Sequence, residues 1–492
     1  MKTRFFTRFT PAAAFLLICC LLSLPGTHAF EETPSIGFFG AARCFGGSCH
    51  LLNTGTQLIL MDCGSFMDDE PTRRSNGFPF NPRSVDLVTL SHAHLDHCGR
   101  LPALFHHGFT GKVLCAAPTA SLTDIMLRIQ QGIHAEHAGS PDYSDEDVKA
   151  AVAALTEVDY HAPVPFLNTT GITFFPAEHI LGSAMTLIEF ETQGHRKKLL
   201  FTGDFGNNTN GIMQQKSILN ETDYLVIEST YGGKIRENSV QELDAFYQML
   251  SDAALDNGVV IIPSYVLART QSVLAYIYKG IETGRIPAQL NVYVDSPTAS
   301  RITRIYAQFP KHLLKPFQGS PLGTQSPFSF KSLFLQGDFR DIQRPAVVIC
   351  PSADASAGKV VAYLKRFISE PETRICFVSS YHPEGSLSGI IRQKPDQIDI
   401  EGIRYPMRAS VFEFGSFSAH GDQKQIMDWL KNFSFIRSVF IVHGDVGNMQ
   451  SLADRIKETF HWNVIIPEPE TTCDLETGKP LKAITPPSIS AR

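Results

Sequence analysis

The sequence predicts a mixed α/β (α+β) chain in which one β-rich unit is interrupted by a second unit of alternating strands and helices. Three observations predict it. Short apolar runs punctuated by glycine follow the first thirty or so residues, the texture changes to strand-helix alternation near Glu237, and short strands return near "ASVFEFGS". The 492 residues are 43% hydrophobic and 19% charged, ample for a core, and the length sets an expectation of two to four domains. With 43 basic against 49 acidic residues the net charge is −6, which argues against a general polyanion-coating protein but leaves room for a local basic groove.

At the start, Lys2, Arg4 and Arg8 precede an apolar run from Ala12 to Leu24 and then "GTHAF". This order has the anatomy of a secretory signal cut after Ala29, and the run is short for a transmembrane helix. The expectation is an exported, periplasmic chain with no stable membrane insertion once the signal is removed. The competing reading is a cytoplasmic protein beginning near "PSIGFFGAA". "SIGFFGAA", "CHLLNTG" and "QLILMDCG" read as antiparallel strands, and "VDLVTLS" as a further strand. From Ala120 to about Ala154 the pattern is helical, with a helix start at Ser144 followed by acidic residues. Strands resume at "GITFFPA", "MTLIEFET", "KKLLFTG" and "DYLVIES".

In the middle of the chain, apolar strands such as "GVVIIPS", "LNVYVDS", "PAVVICPS" and "TRICFVSS" alternate with helical stretches, the signature of a buried parallel sheet. Later, Ile426, Trp429, Leu430 and Phe433 form one helical face. The expected organisation is a signal at 1–29, a first domain at 30–235 and 399–470, an inserted domain at 236–398, and a loose tail at 471–492. Outside the leader, eight cysteines lie scattered with no CxxC pair, mostly in apolar contexts that suit buried free thiols. Cys44 and Cys49 are the one pair whose proximity in sequence suggests a disulfide in an exported chain.

The chemistry concentrates in "SHAHLDHCGR", where His92-x-His94-x-Asp96-His97 leaves a predicted strand. Alternate residues of such a loop can converge on one point while the next pair reaches a second. Neutral imidazoles with a carboxylate suit zinc, and manganese is a compatible substitute. His179 in "PAEHILGSA" and Asp204 in "LLFTGDFG", each at a strand end, supply the missing ligands for two metals, with Asp204 bridging.

These stretches, with Asp62 in "LMDCG", resemble the four successive motifs of the metallo-β-lactamase-fold hydrolases. Glu228 in "YLVIESTYGG", His420 in "GSFSAHGD" and His443 in "FIVHGD" resemble motifs A, B and C of the β-CASP nucleases within that superfamily, and the resemblance runs from about Ile36 to Pro467. It implies a metallo-β-lactamase αββα sandwich with an inserted β-CASP α/β domain. One zinc is then held by His92, His94 and His179, the second by Asp96, His97 and His443, with Asp204 between them and Asp62 ordering the ligand loop. Asp96, Glu228 and His420 form the catalytic set. His420, paired with Glu228, is the implied general acid, and a metal-bound hydroxide the nucleophile.

The implied reaction is phosphodiester hydrolysis, of single-stranded RNA above all, leaving 5′-phosphate and 3′-hydroxyl ends; a homodimer is compatible. Arg269 in "LARTQ" suits a backbone phosphate, and Ser418 and Ser386 suit further hydrogen bonds, though each reads equally as a helix-start or turn residue. Where relatives carry Ser-Ser-Gly-Met, this chain has "PSADASAGK", which puts its substrate choice in question. Two other readings compete: an exported hydrolase of the same fold acting on another phosphodiester, ester or DNA, and a non-catalytic binding subunit. The intact ligand set counts against the second.

Overall fold

Two seven-stranded sheets face each other, and a third sheet of six strands stands beside them. The structure, a computed structural model, describes residues 33–66, 77–137, 143–166, 170–207, 211–236, 239–318, 326–336, 339–379 and 382–481. The expected signal at 1–29 lies outside the described residues. No helix among the described residues is long and apolar enough to cross a membrane.

The first sheet is built from β1 (Ser35–Phe38), β2 (His50–Asn53), β3 (Leu58–Met61), β4 (Leu87–Thr89), β5 (Lys112–Ala116) and β6 (Leu155–Val158). They lie side by side in chain order, antiparallel up to β3 and parallel from there. The second sheet starts with β7 (Val164–Phe166), β8 (Thr170–Pro176), β9 (Ala184–Thr192), β10 (His195–Phe201) and β11 (Tyr224–Glu228). The inserted sheet holds β12 (Val259–Pro263), β13 (Asn291–Val294), β14 (Leu333–Phe334), β15 (Ala346–Cys350) and β16 (Thr373–Phe377), all parallel as the apolar runs predict.

Two expected boundaries move. Residue 398 lies inside a hairpin of β17 (Gln397–Ile400) and β18 (Ile403–Pro406), and β19 (Ser410–Glu413) then pairs in parallel with β16. Ile398 and Ile400 pack into the inserted core with Phe367 and Ile391, so this unit runs on to Glu413. The chain returns to the second sheet with β20 (Ser438–Val442) and β21 (Asn463–Ile465). Thr471–Asp474, expected as the start of a loose tail, forms β22, antiparallel to β1, and Cys473 and Leu475 are fully buried. The strand is Thr-Thr-Cys-Asp, so no apolar run marks it in the sequence.

Period-two alternation explains the layering. On β11 and β20, Tyr224, Val226, Phe440 and Val442 face Ile36, Leu52 and Ile59 of the first sheet. Their neighbours Leu225, Ile227, Val439 and Ile441 face the opposite way, onto Ile426 and Trp429 of helix Gln423–Leu430 and Met449 and Leu452 of helix Val446–Phe460. Strands covered on both faces read as unbroken apolar runs. Helix, sheet, sheet and helix thus stack in four layers. The eight described cysteines are buried, Cys44 and Cys49 included. Because Leu475 is fully buried, Leu475→Ala is expected to cost about 2–5 kcal/mol in urea unfolding; an unchanged midpoint would place β22 outside the cooperative core.

Candidate active site

Every residue of the predicted cluster sits just past the carboxyl end of a strand. Asp62 follows β3, the His92–His97 loop follows β4, His179 follows β8, Asp204 follows β10, Glu228 ends β11 and His443 follows β20. Since β3 and β4 are parallel, and β10, β11 and β20 are parallel, these ends gather at one rim.

Two donor sets form there. His92 Nε2 lies 3.0 Å from His94 Nδ1 and 3.4 Å from Asp204 Oδ2, while His179 Nε2 lies 3.3 Å from each of these last two atoms. A tetrahedron with zinc–ligand distances near 2.0 Å has edges of about 3.3 Å. The other Asp204 oxygen, Oδ1, lies 3.2 Å from His97 Nε2, and Asp96 Oδ2 lies 3.3 Å from His443 Nε2. Asp204 thus offers one oxygen to each set. His97 Nε2 and Asp204 Oδ1 are buried with no hydrogen-bond partner, and a cation between the two sets would satisfy both. The residues fit a pair of metal ions.

A further shell of hydrogen bonds orients the rings. Asp62 Oδ2 accepts from His97 Nδ1 at 2.6 Å, from Ser91 Oγ at 2.8 Å and from Ser48 Oγ at 3.1 Å. Ser91 Oγ is 3.0 Å from His92 Nδ1, and Thr230 Oγ1 is 3.0 Å from His443 Nδ1. With Nδ1 occupied in all three, Nε2 is the nitrogen turned to the cluster. The His179 loop is closed by Ser183, whose Oγ accepts from the backbone N–H of His179 at 3.0 Å. Sequence reasoning missed Ser48, Ser91, Ser183 and Thr230; proximity to a motif was the one signal available for them. Asp62 and His443 take positive φ angles of 60° and 52°, strain that their surroundings hold in place.

Burial keeps the first set neutral: it pushes His92 to about 3, His94 to about 4 and His179 well below the ordinary imidazole value. Neutral imidazole is the ligand form. Asp96 and Asp204 are held well below the usual carboxylate range, since the surrounding imidazoles outweigh the burial that would raise them.

His420 stands beside the cluster. Its Nδ1 lies 2.9 Å from Glu228 Oε1, which also accepts the Phe205 N–H at 2.7 Å, while Glu228 Oε2 accepts the Thr230 N–H at 2.9 Å. His420 is also within ligand range of Asp204 and His443, at 3.9 Å from Asp204 Oδ2, but Nδ1 is engaged by Glu228. Ser418 lends its carbonyl to Asn207 Nδ2 at 3.1 Å and to Arg236. Arg269 opens helix Arg269–Glu282 and is held by burial at about 10, with Tyr231, Tyr265 and Arg236 as its charged or ionisable neighbours. Ser386 is committed to a helix start: it caps Leu387–Arg392, accepting the Gly389 N–H at 3.1 Å and donating to the Pro383 carbonyl at 2.6 Å.

A bridging carboxylate between two imidazole sets, with a Glu–His pair beside it, defines a metal-dependent hydrolase. Comparison with known proteins narrows the class. Residues 42–245 match the metallo-β-lactamase superfamily, 270–391 the Beta-Casp domain and 404–467 the Zn-dependent metallo-hydrolase RNA specificity domain. The chain is 32% identical over 421 residues to ribonuclease TTHA0252 of Thermus thermophilus, covering 84% of this chain and 94% of the relative. It is 26% identical to an RNase J-like protein of Methanocaldococcus jannaschii (87% and 97% covered), and 27% identical to the transcription termination factor FttA of the same organism (88% and 70%). A crystal structure of a protein of unknown function from Enterococcus faecalis V583 shares the fold, at a TM-score of 0.54 and 13% identity over 90% of this chain and 99% of the other. The chain belongs to the β-CASP family of metallo-β-lactamase-fold nucleases.

Without metal, burial pushes His443 down, but Asp204 and Asp96 outweigh it and hold the ring up at about 9. His97 is held well above its ordinary value by Asp204, Asp96 and Asp62, again against burial. Both rings must shed a proton to become ligands, so metal uptake at neutral pH is expected to release protons and to tighten as pH rises. Calorimetry in buffers of different ionisation enthalpy measures this; a buffer-independent heat would contradict it. Folding raises His443, so its contribution to metal-free stability is complete below about 6.5 and fades as pH rises through about 9. The melting temperature of the metal-free chain is expected to fall across that window.

Proposed function

We propose that the chain is a ribonuclease that uses two zinc ions to hydrolyse single-stranded RNA. The observation that carries the reading is the Glu228–His420 pair, held at 2.9 Å beside seven convergent ligands. His92, His94, His179 and Asp204 would hold one ion, and Asp96, His97, His443 and Asp204 the other. Bound there, the ions would lower the pKa of a coordinated water and neutralise phosphate oxygens.

The protein's own residues supply the rest. Glu228 takes three hydrogen bonds, two from backbone N–H groups, so its position is fixed before substrate arrives. It occupies Nδ1 of His420 and leaves Nε2, across the ring, to carry a proton to the leaving ribose oxygen. His420 retains 20% side-chain exposure, enough to meet a substrate, whereas Glu228 has none.

RNA as substrate is supported by the names of the relatives and by the RNA specificity domain match at 404–467. Side chains beside the site are consistent in chemistry with a single strand. Arg269 offers a guanidinium group for a phosphate, Arg236 beside it holds the Ser418 and His420 carbonyls, Tyr265 is 46% exposed, and the Tyr231 ring lies 6.2 Å from that of His420. An exposed aromatic ring beside a cation suits an unpaired base, whose face is free to stack.

Purified chain with added zinc is expected to cleave labelled single-stranded RNA in preference to duplex RNA, single-stranded DNA and a small phosphodiester. Hydrolysis of the small diester with RNA left intact would overturn the RNA reading. His420→Ala is expected to lower kcat by roughly 10²–10⁴ with metal content unchanged. His94→Ala is expected to lose metal and activity together, and Arg269→Met to raise KM more than it lowers kcat.

A further inference from the structure

Glu178 stands immediately before His179 and has two features that need explanation. Its φ is +66°, a conformation in which a side chain is strained, and its carboxylate is buried. The partner is Lys216, 7% exposed, whose Nζ donates to Glu178 Oε2 at 2.6 Å and to the Gly206 carbonyl at 2.9 Å, and lies 4.6 Å from the Phe205 ring centroid. One ammonium therefore grips two loops: the loop that carries His179, and the loop in which Phe205 and Gly206 follow Asp204.

The two loops are already in backbone contact. The Gly206 N–H donates to the Ala177 carbonyl at 2.9 Å, and a Cβ on Gly206 would come within 2.2 Å of the Glu178 backbone. The segment bearing Lys216 is tied down as well, by the Ser217 N–H on the Pro176 carbonyl at 3.0 Å. His179 Nε2 and Asp204 Oδ2, the ligand atoms the two loops deliver, stand 3.3 Å apart. A buried ion pair is a poor source of net stability, since desolvation offsets most of the attraction, so a strained residue kept in one points to another role.

We propose that Glu178 and Lys216 are positioning residues, a strut that sets the spacing between His179 and Asp204 and so the affinity of the site for metal. The inference rests on the metal-site reading above. Groups that orient ligands typically change affinity by roughly ten- to a hundredfold.

The test separates positioning from stability. In the full-length double variant Glu178→Gly with Lys216→Met, glycine accepts the positive φ and no unpaired charge is left buried. It is expected to melt at or above the parent's temperature in the metal-free state, yet to bind zinc roughly tenfold or more weakly in competition with a chromophoric chelator. Glu178→Gln, which keeps the side-chain length and leaves Lys216 bonded to Gly206, is expected to weaken zinc by a smaller factor. Lys216→Arg, which keeps the charge, is expected to restore most of the parental affinity. Parental affinity in whichever of the double variant and Glu178→Gln folds would overturn the strut. A parent chain that itself binds no zinc would instead sink the metal-site reading.

Discussion

The site depends on one buried anion. Asp204 is 2% exposed, and its two oxygens are flanked by different sets of imidazoles, His92 and His179 on one side and His97 and His443 on the other. An ionised carboxylate removed from water is costly unless opposite charge or strong donors surround it. Here the compensation comes from three separate strand ends, so the cost of burying one aspartate binds distant parts of the chain into a single geometry. With Asp96 and Asp62 close by, the pocket holds three carboxyl groups, an environment built for cations.

That demand explains the architecture around it. Parallel strands send their carboxyl ends the same way, and the parallel runs β3–β4 and β10–β11–β20 supply Asp62, the His92–His97 loop, Asp204, Glu228 and His443. The inserted unit is packed against this rim, not merely tethered to it. Ile302 and Tyr306 share a core with Leu122 and Leu181 of the first unit, and the Leu181 N–H reaches Tyr306 Oη at 3.4 Å, two residues from His179. Arg269 and Tyr265 come from this unit and stand beside Tyr231 and Arg236 of the first.

What could be read from the sequence follows the distance over which each signal acts. His92-x-His94-x-Asp96-His97 is local, and its pattern is legible because one loop holds four ligands. His179, Asp204, Glu228, His420 and His443 were legible through order and resemblance, although the pairing that joins them, such as Glu228 with His420, spans 192 residues. Features set purely by tertiary pairing were not. β22 is recognisable as a strand through β1, and β19 belongs to the inserted sheet through β16; neither partner is near in sequence. Ser48 and Thr230 are common residue types whose role appears once Asp62 and His443 are in place. Ser386 shows the converse: a turn serine open to two readings in sequence has its hydroxyl occupied at a helix start.

The Glu228–His420 pair and the His/Asp cluster are not independent modules. Asp204 and Phe205 are adjacent, and the Phe205 N–H binds the same Glu228 oxygen that holds His420. The Phe205 carbonyl in turn accepts the Gly421 N–H at 2.6 Å, and the Asn207 N–H donates to the Ala419 carbonyl at 2.8 Å, so the loop bearing His420 is laced to the loop bearing Asp204 on both sides. A shift of the Asp204 loop would therefore displace its carboxylate and the Glu228–His420 pair together. Thr230 ties in the remaining corner, giving its N–H to Glu228 while its hydroxyl oxygen accepts from His443 Nδ1. Hydrolysis needs a proton delivered to one oxygen while charge is neutralised on its neighbours, which requires the two devices at a constant separation. Lacing the two loops together through backbone hydrogen bonds makes that separation a property of the backbone.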